Sequence, residues 1–420
     1  MKKYWLAACL GFFLTGCSFW GAPGEMLRAP LAEAGDPQAA KAVEAFLPEG
    51  AVLTVPSKPA GQAAIQMADL DGDGQEELFA LFKNERQAPE AGVLVLGKQG
   101  GKWVQRGSVQ EVAGGIDYLE AVELDGKPGK ELIVGFRGGA LLQKKVGVFA
   151  LGAEGMKELG KQSYTEIAVG DLNGDGQAEI VLLHHDRDKL LAKTELWQAK
   201  EGSLRLSSTQ NFYDGINGFT EVQIGKVAAD RVGVVVQVGI GAHSAFTSLL
   251  VWDGSKLIDV FAREGEGGTP DITFSPYSTQ NDDFDHDGIL EIGKLVMPKG
   301  SEGESMAGTP WLQEWGRWDG GHGLIPVYRN YYDYDAEFRF DPPKEWGMDY
   351  SVRKEYLATS RSITFERAGI EVKIWVRPIG EAARANELFL GENEQWRMTA
   401  ELNGGMPEAE IRACYHQLNR

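Results

Sequence analysis

Residues 69–78 (DLDGDGQEEL), 171–180 (DLNGDGQAEI) and 283–292 (DFDHDGILEI) carry one acidic pattern three times. Each segment has an oxygen-bearing side chain at positions 1, 3, 5 and 9 and a glycine at position 6. Ca²⁺ binds about six to eight oxygen atoms, and alternate residues of a tight loop can direct several carboxylates at one centre. The glycine permits the sharp turn. The pattern therefore predicts three Ca²⁺-binding loops.

Each loop is expected to supply four side-chain ligands and one backbone carbonyl, from position 7. The predicted ligands are Asp69, Asp71, Asp73, Gln75 and Glu77; Asp171, Asn173, Asp175, Gln177 and Glu179; and Asp283, Asp285, Asp287, Ile289 and Glu291. Asp, Asn and Gly also form turns without metal, which is the alternative. Clustered carboxylates repel one another without a counter-ion, so we expect bound Ca²⁺, about three ions per chain, in a structural role.

The first six positions also fit an EF-hand, which needs a bidentate Glu at position 12 and a helix on each side. Position 12 is Ala80, Leu182 or Lys294, and the flanking residues 64–68 and 78–82 have the composition of short strands. The EF-hand interpretation fails, and a strand–loop–strand hairpin replaces it.

With this loop pattern, the chain resembles the FG-GAP (VCBS-type) repeats of integrin α-subunit β-propellers and of many bacterial surface proteins. The resemblance implies a β-propeller whose blades carry Ca²⁺ in such loops.

Two degenerate copies extend the series. Residues 123–132 (ELDGKPGKEL) keep the length but have Lys127 at position 5, where an ammonium can neutralise the carboxylates. We expect this second loop to be free of metal. Residues 226–235 (KVAADRVGVV) retain almost none of the ligands and are expected to be a structural copy only. The five loops are numbered below in chain order.

The loops begin at residues 69, 123, 171, 226 and 283, so they are 54, 48, 55 and 57 residues apart. This period suits one four-stranded propeller blade. Between the loops lie β-branched and apolar runs that are typical of buried strands. The sequence therefore predicts a mainly β fold, with a β-propeller over residues 58–335. Five blades are favoured, and six or seven are possible if the C-terminal strands contribute.

The N-terminus has the pattern of a signal peptide over residues 1–16, with Lys2 and Lys3 before a short apolar run. Residues 14–17 (LTGC) resemble the bacterial lipobox, which implies that Cys17 is acylated and anchors the chain to a bilayer on the extracytoplasmic side. An ordinary signal peptide with an incidental cysteine is the alternative. Residues 17–57 are expected to be a tether with one short helix at 36–46, because Asp36 and Pro37 suit a helix start.

Charge and cysteine content narrow the function classes. The formal net charge is −19, and it becomes −21 when Lys2 and Lys3 leave with the signal peptide. Nucleic acids attract basic surfaces, so we expect no nucleic-acid partner. The chain contains only Cys9, Cys17 and Cys414, which leaves a single thiol and no internal disulfide in the mature protein.

Residues 336–420 are predicted to form a small α+β domain. Strand candidates lie at 350–356, 362–366, 371–377 and 395–402, and a terminal helix is expected at 407–418. The aromatic and acidic run at 328–335 (YRNYYDYD) is expected to be either an interdomain contact or an exposed binding strip.

Motifs for catalysis are weak. Residues 303–307 (GESMA) depart from GxSxG, and residues 239–244 (GIGAHS) miss the third glycine of a dinucleotide fingerprint. We therefore expect a binding or scaffold module for a protein or polysaccharide rather than an enzyme. The alternatives are a propeller-containing polysaccharide lyase or hydrolase and a purely structural component of the cell envelope.

Overall fold

The computed structural model describes residues 37–84, 89–138, 143–262, 270–381, 384–402 and 405–418. The predicted signal peptide and Cys17 lie outside these residues. Among the described residues, no helix is long and apolar enough to cross a bilayer. The chain forms two compact units, Met1–Ser163 with Gly202–Leu204, and Tyr164–Glu201 with Arg205–Arg420.

The described residues of the first unit form one helix and two antiparallel sheets. The elements of the first sheet and the helix beside it are α1 (Pro37–Phe46), β1 (Val52–Leu53), β2 (Ile65–Ala68), β3 (Glu77–Asn84), β4 (Glu90–Gln99) and β5 (Lys102–Val112). The second sheet is formed by β6 (Gly115–Val122), β7 (Glu131–Arg137), β8 (Lys144–Gly152) and β9 (Gly155–Tyr164). Both sheets contain the strand–loop–strand hairpin that the acidic pattern predicts, because the first loop joins β2 to β3 and the second joins β6 to β7.

The second unit continues the same construction. The third and fourth sheets consist of β10 (Glu166–Gly170), β11 (Glu179–Asp186), β12 (Leu191–Lys200) and β13 (Ser203–Asn211), then β14 (Ile216–Ala228), β15 (Arg231–Ile240), β16 (Ser244–Trp252) and β17 (Leu257–Asp259). The fifth sheet consists of β18 (Ile292–Val296), β19 (Leu312–Trp318), β20 (Leu324–Asp333) and β21 (Phe338–Phe340).

The C-terminal residues form a sixth sheet and return to the fifth. The remaining elements are a 3₁₀ turn (Lys344–Trp346), β22 (Ser351–Tyr356), β23 (Arg361–Arg367), β24 (Ile370–Pro378), β25 (Glu387–Glu392), β26 (Trp396–Glu401), α2 (Glu408–Cys414) and β27 (Tyr415–Gln417). Strands β22 to β26 make the sixth sheet, in the order β22-β23-β24-β26-β25. Strand β27 pairs with β21, so the fifth sheet takes strands from both sides of residue 336.

The inner strands are the apolar runs of the sequence. Strands β3, β7, β11 and β15 are buried along most of their length, as expected for strands covered on both faces. Their side chains form the cores between successive sheets: β3 and β4 share one core with β7 and β8, and β11 and β12 share another with β15 and β16. Helix α1 covers the other side of the first sheet through Ala39 and Val43.

The prediction of a mainly β chain of the β-propeller class is confirmed, since the described residues form successive antiparallel sheets of four or five strands. The number of blades stays a prediction. The four C-terminal strand candidates and the helix at 36–46 are also found.

The predicted terminal helix is wrong beyond residue 414. Strand β25 was not expected, and residues 415–417 leave the helical pattern to pair with β21. The Tyr415 ring stacks on Phe338 at 5.4 Å, and the Asp341 N–H donates to the Cys414 carbonyl at 2.8 Å. These tertiary contacts outweigh the helix propensity of a short segment.

A buried ion pair joins the fifth and sixth sheets. The Arg361 guanidinium on β23 donates to both carboxylate oxygens of Asp333 on β20, at 2.8 and 3.2 Å, and both side chains are buried. Burial raises the pKa of Asp333, but the charges of Lys354 and Arg361 outweigh this effect and hold the pKa below its usual range. The pair therefore stabilises the protein in its charged form.

Arg361→Leu is expected to lower the free energy of unfolding at pH 7 by about 3–5 kcal/mol, because it leaves a buried carboxylate without its closest counter-ion. A carboxyl group whose pKa falls on folding contributes stability above its unfolded pKa, here 3.8, and loses that contribution at lower pH. The difference between wild type and variant should accordingly shrink as the pH falls below about 4. Urea denaturation at several pH values measures both effects.

The control is Arg353→Leu on β22, whose guanidinium is more than half exposed and pairs loosely with Glu366 at 3.5 Å. We expect a loss below about 1 kcal/mol. Equal losses in the two variants would contradict a stabilising role for the buried pair.

Candidate metal centres in the acidic loops

The glutamate at position 9 closes each loop. It is the first residue of β3, β7 or β11 in the first three loops and directly precedes β18 in the fifth, and it is buried in all four. One carboxylate oxygen, Oε2, accepts the backbone N–H of position 2. The four bonds are Leu70 to Glu77 (2.9 Å), Leu124 to Glu131 (2.9 Å), Leu172 to Glu179 (3.0 Å) and Phe284 to Glu291 (2.9 Å). The same contact therefore builds the second loop as well.

The aspartate at position 1 organises the turn. In the first, third and fifth loops its two carboxylate oxygens accept backbone N–H groups from positions 4 to 6, as in the bonds from Gly174 and Gly176 to Asp171 at 2.7 and 2.9 Å. The glycines at position 6 have φ values of 84°, 85° and 88°, a conformation that favours glycine. These hydrogen bonds fix the turn of each of the three loops.

Position 5 adds a further turn. Asp73, Asp175 and Asp287 each accept the backbone N–H of position 7 through Oδ1, at 2.7–3.0 Å. The N–H groups that they bind belong to Gln75, Gln177 and Ile289.

Three loops bring carboxylate oxygens from positions 1, 3 and 9 within 4.8 Å of one another, close enough to hold one metal ion. These groups are Asp69, Asp71 and Glu77; Glu123, Asp125 and Glu131; and Asp283, Asp285 and Glu291. Hard carboxylate oxygens suit Ca²⁺ or Mg²⁺. Acidic clusters that fit a metal are thus present in the first and fifth loops, as expected.

The second loop departs from expectation. Lys127 predicts a site without metal, yet the three carboxylates of this loop lie in the same arrangement as those of the first and fifth loops. The Lys127 side chain is mostly exposed, and its ammonium contacts Asp125. A lysine at position 5 therefore does not prevent positions 1, 3 and 9 from converging.

The third loop has a neutral residue in the cluster. Asn173 stands at position 3, and its amide donates to Oε1 of Glu179. The Gln198 amide on β12 donates to the same oxygen at 3.0 Å. Two side-chain amides thus satisfy the inner oxygen of Glu179 without adding charge.

In the fifth loop an arginine takes this place. In the third sheet Trp197 pairs with Ile180, so the next residue, Gln198, lies opposite Glu179. In the fifth sheet Gly316 pairs with Ile292, so Arg317 lies opposite Glu291. Gln198 and Arg317 therefore occupy equivalent positions beside position 9. The Arg317 guanidinium lies 2.7 Å from Glu291, 2.9 Å from Asp285 and 2.5 Å from Asp287. It contacts positions 9, 3 and 5, the oxygens that a bound cation would use.

The first loop has an arginine from a different strand. Its equivalent position on β4 is Gly97, which follows Leu96, the partner of Leu78. A Cβ atom at Gly97 would lie 3.0 Å from the side chain of Arg106 on β5. Arg106 occupies that space and reaches Asp71 at 2.9 Å and Glu77 at 4.0 Å.

The second loop has neither a cation nor an amide in this place, since Ala150 follows Phe149, the partner of Leu132. Burial, with the nearby carboxylates of Asp125 and Glu123, raises the pKa of Glu131 to about 7. Burial also raises the pKa of Glu77, Glu179 and Glu291.

The sequence does not show which residues lie beside position 9, because their distance along the chain from that position varies. The residues are at 97, 150, 198 and 317. The connection between β11 and β12 spans residues 187–190, whereas the one between β18 and β19 spans residues 297–311. Only the strand register identifies them.

Comparisons with known proteins give structural similarity alone. No family model matches the chain, and no curated protein matches it. Similar solved structures include the rhamnogalacturonan lyase PL11 of Bacillus licheniformis, with 12% identity and a TM-score of 0.33 over 82% of this chain and 84% of that one.

Rhamnogalacturonan lyase YesW is also similar, with 12% identity and a TM-score of 0.33 over 84% of this chain and 90% of that one. The β-propeller domain of the Trilobed protease from Pyrococcus furiosus has 10% identity and a TM-score of 0.29 over 85% and 98%. Such low values transfer neither an activity nor a ligand to this chain.

Arg317→Gln gives the fifth loop the residue that Gln198 supplies to the third. Because a guanidinium within 3 Å of the ligand oxygens competes with a cation, we expect Ca²⁺ affinity at the fifth loop to rise about tenfold or more, or about 1.4 kcal/mol. Equilibrium dialysis at a fixed free Ca²⁺ concentration measures the change.

The reciprocal variant, Gln198→Arg, should weaken Ca²⁺ binding at the third loop. Arg353→Gln, on β22 in the sixth sheet, is the charge-matched control and should leave binding unchanged. Lower affinity in Arg317→Gln would mean that the arginine supports the cation rather than replacing it.

Proposed function

We propose that the protein is an extracytoplasmic lipoprotein, held to a bilayer by acylated Cys17, whose Ca²⁺-stabilised β-propeller is a binding or scaffold module for a protein or a polysaccharide. The observation that carries this proposal is the repeated loop, with the same position-9 glutamate and the same convergent carboxylates in the first, second and fifth sheets.

The geometry supports a structural role for the cation. The first three loops join the first strand pair of their hairpins, and the fifth directly precedes β18. An ion in such a loop would therefore link a solvent-facing turn to a buried glutamate. Ca²⁺ fits a set of oxygen ligands in a flexible loop better than Mg²⁺, which requires near-octahedral geometry. An ion that binds only the folded state stabilises it.

The lyase or hydrolase alternative requires a group beside the cation that can accept a proton. The group beside the fifth loop is Arg317, and its hydrogen bond to Glu291 raises the pKa of the guanidinium further above neutrality. Such a side chain stays protonated and acts as a counter-ion. This observation favours a binding module over a lyase centred on that loop.

The membrane anchor is supported by residues 14–17 and by the short apolar run before them. An acidic chain has little electrostatic attraction to anionic headgroups, so the acyl chains would supply the membrane affinity. The same net charge supports the absence of a nucleic-acid partner.

Ca²⁺ is expected to raise the melting temperature of metal-stripped protein. At a free concentration of a hundred times Kd, one site adds about 2.7 kcal/mol to the free energy of unfolding. Asp171→Asn, in the third loop, where Gln198 rather than an arginine lies beside position 9, should reduce this gain, while Asp253→Asn, in a hairpin turn, should not. A melting curve unchanged between Ca²⁺ and EDTA would contradict the structural role.

Cys17→Ser is expected to abolish acylation and release the protein from the membrane fraction. Cys9→Ser changes a cysteine within the signal segment and should leave acylation intact. Mass spectrometry of the mature N-terminus, together with membrane fractionation, measures both results. Wild-type protein recovered without an acylated N-terminal cysteine would exclude the lipoprotein assignment.

A further inference from the structure

A cavity of about 510 Å³ opens within the second unit, away from the acidic loops. One wall is the connection between β18 and β19, with Met306 and Trp311, and the other is the end of β20, with Tyr332 and Tyr334. Tyr277 also lines the cavity. This volume lies within the range of about 300–1,000 Å³ that is usual for small-molecule sites.

The cavity presents fixed aromatic surfaces. The Tyr332 and Tyr334 rings stack with 5.5 Å between centroids and 13° between planes, and Tyr334 is 51% exposed. The Trp311 indole N–H donates to the Met306 carbonyl at 2.9 Å, which holds the ring against its own loop. Ring faces held in this way suit a ligand with a flat apolar face.

The charged residues of the cavity neutralise one another. Asp333 pairs with Arg361 at 2.8 Å and with Lys354 at 3.7 Å, and the exposed Asp335 pairs with the same Arg361 at 2.8 Å. A charged ligand would have to break these pairs to find a partner. The electrostatics therefore favour an uncharged ligand.

Polar groups lie among the rings. The cavity is also lined by Ser278, Thr309 and Gln313, whose hydroxyl and amide side chains carry no charge. A peptide added as a strand needs a free sheet edge, but β20 already pairs with β19 and β21, and β21 pairs with β27. The cavity thus offers ring faces and neutral polar groups, and β20, the strand that supplies Tyr332, is already paired on both edges.

We propose that this cavity binds a neutral saccharide, with a sugar ring stacked on the face of Tyr334 or Trp311 and its hydroxyl groups bonded to the polar lining. The apolar face of a pyranose, its hydroxyl rim and its lack of charge match the three properties of the site. This inference rests on the proposed binding role and names the ligand class for it.

The test uses the full acylated chain, purified with Ca²⁺ in a polyoxyethylene detergent, because maltoside headgroups are themselves sugars. Cellohexaose, mannohexaose and galactohexaose are titrated as neutral probes, with hexagalacturonic acid and an uncharged hexapeptide for comparison. Tryptophan fluorescence and calorimetry report binding. We expect at least one neutral hexasaccharide to bind and both comparison probes to fail.

Trp311→Ala and Tyr334→Ala are each expected to weaken saccharide binding at least tenfold, while Phe389→Ala, an exposed aromatic on β25, leaves it unchanged. Tyr334→Ala is the safer variant because half of its side chain is already exposed, and its melting temperature checks the fold.

The saccharide assignment is overturned if none of the neutral hexasaccharides binds, if only the uronate or the peptide binds, or if Trp311→Ala and Tyr334→Ala bind as well as wild type. The proposed lipoprotein and Ca²⁺ roles are judged separately, by acylation and by melting in EDTA, so either can hold when the saccharide assignment fails.

Discussion

The buried glutamate at position 9 is the constraint on which the repeated loops depend. Its carboxylate is removed from water and keeps part of its hydrogen bonding through the N–H of position 2. The second oxygen still requires a partner, and in three of the loops a neighbouring strand supplies one. Arg317 fills that place in the fifth loop, Gln198 fills it in the third, and Arg106 approaches it in the first. The acidic loop and the strand residue that lies beside position 9 therefore form one electrostatic unit, in which the charge of that residue affects how strongly the loop attracts a cation.

Part of this arrangement is readable from the sequence. Glycine at position 6 and acidic side chains at fixed spacing define the turn locally, so the loops and the strands that flank them could be predicted. The strand residues that contact position 9 could not be predicted, because strand register is set by tertiary pairing and the connections between strands differ in length. Gly97 has no side chain, and Arg106 of the neighbouring strand occupies the space that a side chain at residue 97 would fill. This steric relation between two strands can be seen only in the folded structure. The convergence of the carboxylates in the second loop was not predicted for a related reason, since Lys127 extends from the turn and leaves positions 1, 3 and 9 close together.

At the C-terminus, too, the local sequence does not predict the structure that forms. Residues 415–417 follow a helix and have no strand pattern of their own, yet they pair with β21 and place Tyr415 against Phe338. Aromatic stacking and main-chain hydrogen bonds with a distant segment determine their conformation, and local propensity is a weak guide in such cases. The fifth and sixth sheets consequently share one core that runs from Leu312 to Tyr415.

The fifth sheet differs from the other sheets of the repeat in three ways. Its acidic loop is neutralised by Arg317, its outer strand β21 is covered by β27, and residues 297–311 lengthen the connection between β18 and β19. The long connection supplies Met306 and Trp311 to the cavity, while the covered strand leaves the aromatic end of β20 as the other wall. A repeat that keeps its hydrogen-bonded frame can accept such an insertion without loss of the sheet, because the frame depends on the position-9 glutamate and the inner strands. A fold does not fix function, which depends on the residues that build a site on it, and here the added residues form one wall of the cavity.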